Sequence, residues 1–249
     1  IVENQVISRK QMRADKDKTN SEMLQYYGMW VHQIKTPIAA MHLLLQADLS
    51  MAADNESAEE IYFRVSELKK ELSNELFRIE QYTEMALEYQ RVQSESNDFV
   101  LGKIKLDKVI RESIRKYAKI FIRKKLSMHY EGTDIVVASD EKWLSFIIEQ
   151  ILSNAIKYTK AGSITINVLP NALNKIVCLE IADDGIGISA EDIPRVFEKG
   201  YTGYNGHENK SSTGIGLYLC KQAADKLGHR LEIESEKKKG TKVRIYFYT

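Results

Sequence analysis

Apolar residues recur at steps of three and four through the N-terminal part of the chain. Met23, Tyr27, Trp30, Ile34, Ile38, Met41 and Leu45 form one series, and Ile61, Val65, Leu68, Leu72, Leu76, Ile79, Tyr82, Ala86 and Tyr89 form a second. That spacing is the stripe of a helix packed in a bundle or coiled coil. It predicts one long helix over residues 1–52, polar and weakly patterned at its start, and a second helix after it. Ser50 to Ser57 is short, polar and rich in helix-capping residues, which suits the turn of an αα-hairpin. Two such helices leave much of their stripe uncovered, so pairing of two chains into a four-helix bundle is expected.

The period is lost at residues 93–106, where polar turn residues precede a short alternating strand. We place the domain boundary there, with a helical domain over 1–95 and a mixed domain over 96–249. In the second domain the pattern predicts a helix from Asp107 to about Leu126, short strands at 128–131 and 135–138, and a helix capped by Asp140 and reaching Thr159. Strands at 163–169 and 175–182 follow, then a short helix near 190–197 and a loop over 198–212. A helix at 213–227 and strands at 229–235 and 241–248 end the chain. The fold class is thus α plus α+β: a helical hairpin followed by a two-layer α/β sandwich with a mixed sheet.

Composition narrows the function classes. In 249 residues, 36 Lys and Arg against 35 Asp and Glu leave a net charge of +1, so no bulk basic field argues for nucleic acid. Hydrophobic content of 43% with 29% charged residues is that of a globular protein. The two cysteines, Cys178 and Cys220, have no metal-ligand or CxxC partner. No uncharged run is long enough to cross a membrane. The chain opens on Ile1 without Met, in charged helical sequence, which leads us to expect the cytoplasmic portion of a longer cell-membrane protein.

Several stretches carry candidate chemistry. In Trp30-Val31-His32-Gln33-Ile34-Lys35-Thr36-Pro37, His32 lies about 200° around the helix from both Trp30 and Ile34, so its imidazole should face solvent. Pro37 removes one backbone donor and should bend the helix one turn past His32. Asp183-Asp184-Gly185-Ile186-Gly187-Ile188 ends a strand in a carboxylate followed by two spaced glycines, which allow a tight turn and close approach to a ligand. Thr213-Gly214-Ile215-Gly216-Leu217 opens a helix whose free N–H groups can face phosphates. Gln150, Asn154 and Lys157 share one helical face, where an amide oxygen can ligate Mg²⁺ and an ammonium can meet phosphate. The glycine-bearing stretch from Glu198 to Lys210 has the composition of a mobile lid.

The order HQIKTP, EQILSNAIKY, DDGIG, VFEKGYTG, STGIG and GTKV resembles the successive boxes of bacterial sensor histidine kinases. Their nucleotide domain is shared with gyrase, the heat-shock ninety chaperones and MutL. The wording of the first and fifth boxes is most similar to the intramembrane-sensing branch that responds to cell-wall-active peptides. The resemblance implies that His32 takes the γ-phosphoryl group of ATP and passes it to an aspartate on the receiver domain of a response regulator. It also implies a homodimer, with a transmembrane sensor segment or a transporter partner upstream. By the same resemblance Asp183 receives the adenine amino group, and Gly185, Gly187 and Ile188 form the turn of that pocket. Tyr158 lines it and Thr241 completes its edge. Asn154 coordinates Mg²⁺, Gln150 stands beside it, and Lys157 approaches phosphate. Gly214, Gly216 and Leu217 hold the lid hinge, with Phe197 and Tyr201 anchoring its start. Thr36 positions water for dephosphorylating the regulator.

Three departures from the family pattern change the expectations. Gln33 replaces the acid that often follows the histidine; an amide cannot take a proton at neutral pH, but its oxygen can accept a ring N–H and select the tautomer. Slower autophosphorylation follows, not its absence, because an imidazole is mostly neutral at pH 7. Gln150 stands where related hydrolytic ATPases carry Glu, which favours transfer to protein over hydrolysis. Ser212 replaces a glycine and should stiffen the lid. Two rival readings are an ATP-driven conformational clamp and a dimeric scaffold inactivated by Gln33.

Overall fold

The computed structural model describes residues 26–48, 57–93, 99–171, 176–203 and 213–248. They divide into two compact units, with the division between Gln90 and Arg91. The readings for residues 1–25, for the hairpin turn and for most of the lid lie outside the described residues.

The first unit is a pair of helices. Residues 26–48 are helical without interruption, so Pro37 does not end α1. Helix α2 runs Ala58–Gln93. It starts on a reciprocal cap: the Glu60 N–H donates to Ser57 Oγ (3.3 Å), and Glu60 Oε2 accepts from the Ser57 N–H (2.9 Å). The helices run antiparallel, because Trp30 near the start of α1 meets Tyr89 near the end of α2, while Asp48 pairs with Arg64. Trp30 and Tyr89 meet edge to face at 5.0 Å, Tyr26 adds a third ring 4.9 Å from Tyr89, and both Trp30 and Tyr89 are buried.

The first stripe does not bury as one seam. Trp30 and Pro37 are the buried members of α1, whereas Tyr27, Val31, Ile38 and Leu45 are exposed. On α2, Ile61, Val65, Leu76 and Leu87 are likewise exposed. Each helix therefore spends one flank of its stripe on its neighbour in the hairpin and leaves the other flank bare.

The second unit has a five-stranded sheet in the order β2-β4-β5-β7-β6. Its strands are β2 (Ser127–His129), β4 (Ser163–Asn171), β5 (Ile176–Asp183), β6 (Arg230–Glu236) and β7 (Gly240–Tyr248). Only β2 and β4 are parallel, so the sheet is mixed as expected. Strands β1 (Gly102–Lys105) and β3 (Val136–Ser139) form a separate antiparallel pair that the sequence pattern did not anticipate. Three helices cover one face: α3 (Leu106–Lys124), α4 (Glu141–Tyr158) and α5 (Gly216–Lys226), with α4 on β5, α5 on β6, and both α3 and α5 against α4. The helix expected near 190–197 is a single 3₁₀ turn, Ile193–Arg195, containing Pro194, which lacks the N–H that a longer helix would need.

Strand alternation puts Val177, Leu179 and Ile181 of β5 and Val243, Ile245 and Phe247 of β7 into the core, against Leu144, Ile147, Ile148 and Ile151 of α4. Outward-facing Arg244 bridges Glu180 (2.7 Å) and Glu234 (2.8 Å) across three strands. Asp140 caps α4 as predicted, one oxygen accepting from Lys142 and Trp143 at 2.9 and 3.1 Å. Its other oxygen accepts the Val100 N–H at 2.7 Å, and Phe99 stacks on Trp143 at 5.3 Å.

One buried group makes the fold sensitive to acid. The His229 ring lies against Phe247 (4.7 Å), with Nε2 2.9 Å from the buried Ser139 Oγ, and burial lowers its pKa to about 4. The unfolded chain binds the proton near pH 6.5 and the folded one only near pH 4, so His229 withdraws stability as pH falls through that window, by about 3 kcal/mol in all. An NMR titration should show the His229 ring neutral at pH 5.5; a charged ring at that pH would refute the assignment.

Candidate active site

Asp183 is the last residue of β5 and pairs with Thr241 on β7. Its Oδ1 accepts the Gly185 N–H at 2.9 Å. Burial pushes its pKa up to about 6, against the opposing effect of backbone N–H donors from Gly185 and Thr241. The neighbouring Asp184 does other work: its carboxylate accepts the Ser163 N–H at 2.8 and 2.9 Å and so pins the start of β4.

The turn after Asp183 is held from two sides. On one, the Ile186 N–H donates to Tyr158 O (3.2 Å) at the end of α4; on the other, the Lys238 N–H donates to Ile186 O (2.7 Å). Gly187 has φ +66°, and a Cβ there would stand 2.0 Å from Glu236 O, so only glycine lets the turn lie against the β6–β7 connection. The Ile188 N–H donates to Ser235 Oγ (2.8 Å). Ser235 Oγ donates in turn to Gly240 O (2.8 Å), which leaves the Thr241 hydroxyl, 2.9 Å away, to donate to it. Sequence reasoning missed Ser235; the hairpin register that sets it opposite Thr241 is the signal that would have found it.

The structure therefore brings Asp183, Gly185, Gly187, Ile188, Tyr158 and Thr241 together around one turn. Asn154, Lys157 and Tyr158 on α4 are half-buried, and Lys157 Nζ lies 5.4 Å from the centre of the Tyr158 ring. Gln150, one turn before Asn154, is buried, with only 8% of it exposed. The second glycine motif meets the start of the lid, with the Gly200 N–H donating to Gly214 O (3.0 Å). Gly214 has φ +65°, and a Cβ on it would stand 2.4 Å from the Gly200 carbonyl carbon. Helix α5 begins at Gly216, one residue before half-buried Leu217. The Tyr201 hydroxyl donates to Asp192 (2.5 Å) under the Arg195 guanidinium (4.1 Å), so Tyr201 is tied to the 3₁₀ turn. Ser212 lies outside the described residues.

In the helical unit His32 is exposed and Gln33 half-buried. The Thr36 hydroxyl donates to the His32 carbonyl oxygen at 3.2 Å, a bond within the helix.

A carboxylate in a part-buried turn, walled by close-approaching backbone, is suited to accept from an exocyclic amine of a flat ring. The fit extends to a purine nucleotide, because α4 adds the Lys157 ammonium next to Tyr158 and the Asn154 amide one turn before it. Among the described residues no three His, Cys, Asp or Glu side chains gather as a self-sufficient metal site.

Residues 139–249 match the family described as Histidine kinase-, DNA gyrase B-, and HSP90-like ATPase. Sensor histidine kinase YxdK of Bacillus subtilis is 34% identical over 227 residues, covering 90% of this chain and 64% of the relative, so the chain spans less than two thirds of that protein. In fold the chain is similar to the Acinetobacter baumannii histidine kinase AdeS, with a TM-score of 0.60 at 18% identity, over 87% of this chain and 97% of that one. It is also similar to histidine kinase ThkA, solved in complex with response regulator protein TrrA, with a TM-score of 0.56 at 19% identity, over 87% of this chain and 59% of that one. The chain belongs with the sensor histidine kinases, and residues 139–249 are its ATPase-family domain.

Proposed function

We propose that this chain is the kinase core of a two-component sensor, in which His32 takes the γ-phosphoryl group of ATP and passes it to an aspartate of a response regulator. The observation that carries the reading is the joint presence in one chain of an exposed histidine on a hairpin helix and the Asp183 turn in the ATPase-family domain. Asp183 accepts the adenine amino group, the turn from Gly185 to Ile188 and Tyr158 form the pocket walls, and Thr241 closes its edge. Lys157 approaches the phosphates. Mg²⁺, when bound, neutralises charge on the phosphates, and Asn154 is the residue placed to hold it.

A lone pair on a His32 ring nitrogen forms the N–P bond, the bond from Pγ to the β–γ bridging oxygen breaks, and ADP leaves with that oxygen. The N–H proton on the other nitrogen of the attacking imidazole is released to solvent as the phosphoimidazole forms. The Gln33 amide oxygen orients the ring without taking the proton. Because the Thr36 hydroxyl is exposed beside His32, it is also placed to orient water during dephosphorylation of the regulator.

The bare flanks of α1 and α2 support a homodimer. Tyr27, Val31, Ile38 and Leu45, with Ile61, Val65, Leu76 and Leu87, form apolar surface that a second copy would cover in a four-helix bundle. That ThkA was solved with a response regulator supports the partner class. Among the described residues no helix is long and apolar enough to cross a membrane. We read the chain as the cytoplasmic part of a membrane-anchored sensor of the intramembrane-sensing branch. Incubation with γ-labelled ATP and Mg²⁺ should leave acid-labile, base-stable label on the protein; ATP turnover without such label would favour a conformational clamp.

A further inference from the structure

Thr159 is the residue that closes α4. Its N–H donates to Ala155 O (3.0 Å), yet its hydroxyl is fully buried and has no hydrogen-bond partner among the described residues. A buried hydroxyl left unpaired is destabilising, so it calls for a function that a methyl group could not perform. Its surroundings suggest one. The point where a Cβ would stand on Gly185 is 3.0 Å from Thr159 Oγ1, 2.8 Å from Asp183 Oδ1 and 2.7 Å from Tyr158 O. Tyr158 O accepts the Ile186 N–H and Asp183 Oδ1 accepts the Gly185 N–H; each has a further lone pair, and the ionised carboxylate is the stronger acceptor for a second donor. The hydroxyl and the carboxylate thus approach the same point, where glycine leaves space.

We propose that Thr159 is a positioning residue for Asp183: its O–H turns to donate to the carboxylate when a purine amino group engages, holding the accepting oxygen in place. The proposal rests on the nucleotide reading of the Asp183 turn. A donor to the ionised carboxylate favours that form and opposes the burial that disfavours it. The other groups acting on Asp183 are the Asp184 carboxylate, which favours protonation, and the N–H groups of Gly185 and Thr241, which oppose it.

The test compares ATP affinity between pH 5 and 8 for the wild type, T159V and T159S. Valine keeps the shape of threonine and suits the extended backbone here (φ −97°, ψ 116°), so nucleotide-free T159V should melt no lower than the wild type. T159V should bind ATP about tenfold more weakly at neutral pH. Its affinity should also fail at a higher pH than the wild type's, with T159S restoring both. Titration of the nucleotide phosphates is common to all three proteins and cancels. Unchanged affinity and pH profile in T159V would overturn the proposal, as would a uniform loss shared by T159S. A wild type that binds no ATP at any of these pH values would instead overturn the nucleotide reading itself.

Discussion

His32→Ala is expected to remove all acid-labile, base-stable label from the protein while leaving ATP affinity unchanged. The loss should be complete within detection, because the nitrogen that forms the N–P bond is gone. The substitution is structurally mild. His32 is exposed, it is not part of the Trp30–Tyr89 cluster, and alanine is the better helix former. Circular dichroism and the monomer–dimer equilibrium should therefore match the wild type. Label retained in His32→Ala would assign the nucleophile elsewhere, and label absent from both proteins with ATP still bound would point to a scaffold.

The second large effect is expected at Asp183. Asp183→Asn should weaken ATP binding by about 10² or more, since it replaces a charge-assisted acceptor by an amide whose NH₂ can face the adenine amino group. Folding should survive, because the asparagine oxygen can still accept the Gly185 N–H. The pH behaviour distinguishes lost recognition from damage. Burial raises the carboxyl to about 6, so the folded state holds its proton more tightly than the unfolded one, and Asp183 withdraws stability as pH rises from about 4 through 6. Asp183→Asn lacks that term and should melt at or above the wild-type temperature at pH 7. A variant that binds ATP normally would remove Asp183 from the pocket.

The two pH effects run in opposite senses over nearly the same range, His229 withdrawing stability as pH falls and Asp183 as it rises. The domain's total stability will therefore vary less with pH than either group suggests, and each must be read against its own variant.

The parts that were legible in the sequence are those set by local rules. The period of three and four marked both hairpin helices, Asp140 marked the start of α4, and alternation marked the strands that bury Val177, Leu179 and Ile181. The glycine-bearing turn after Asp183 was legible for the same reason, since spaced glycines have few uses outside tight turns. What was not legible depends on partners distant in the chain. Gln150 lies on a helical face whose burial is decided by tertiary packing. Ser235 acquires its role only through register with Thr241, and the β1–β3 pair joins segments on either side of α3. The apolar stripe of α1 was visible, but a single chain's pattern does not say which flank meets α2 and which is left bare.

The Asp140 carboxylate has a consequence for how this domain can be cut. The match to the ATPase family begins at Ser139, but the packed unit begins earlier. Val100 and Phe99 are clasped to the head of α4, and α3 fills its flank with Leu106, Val109, Ile110, Tyr117 and Phe121. A fragment trimmed to the matched segment would bare Trp143 and the flank of α4 that α3 covers, leaving apolar surface open to water. A self-supporting piece must therefore start no later than Phe99, so the border of the family match and the border of the packed unit fall at different residues of the same polypeptide.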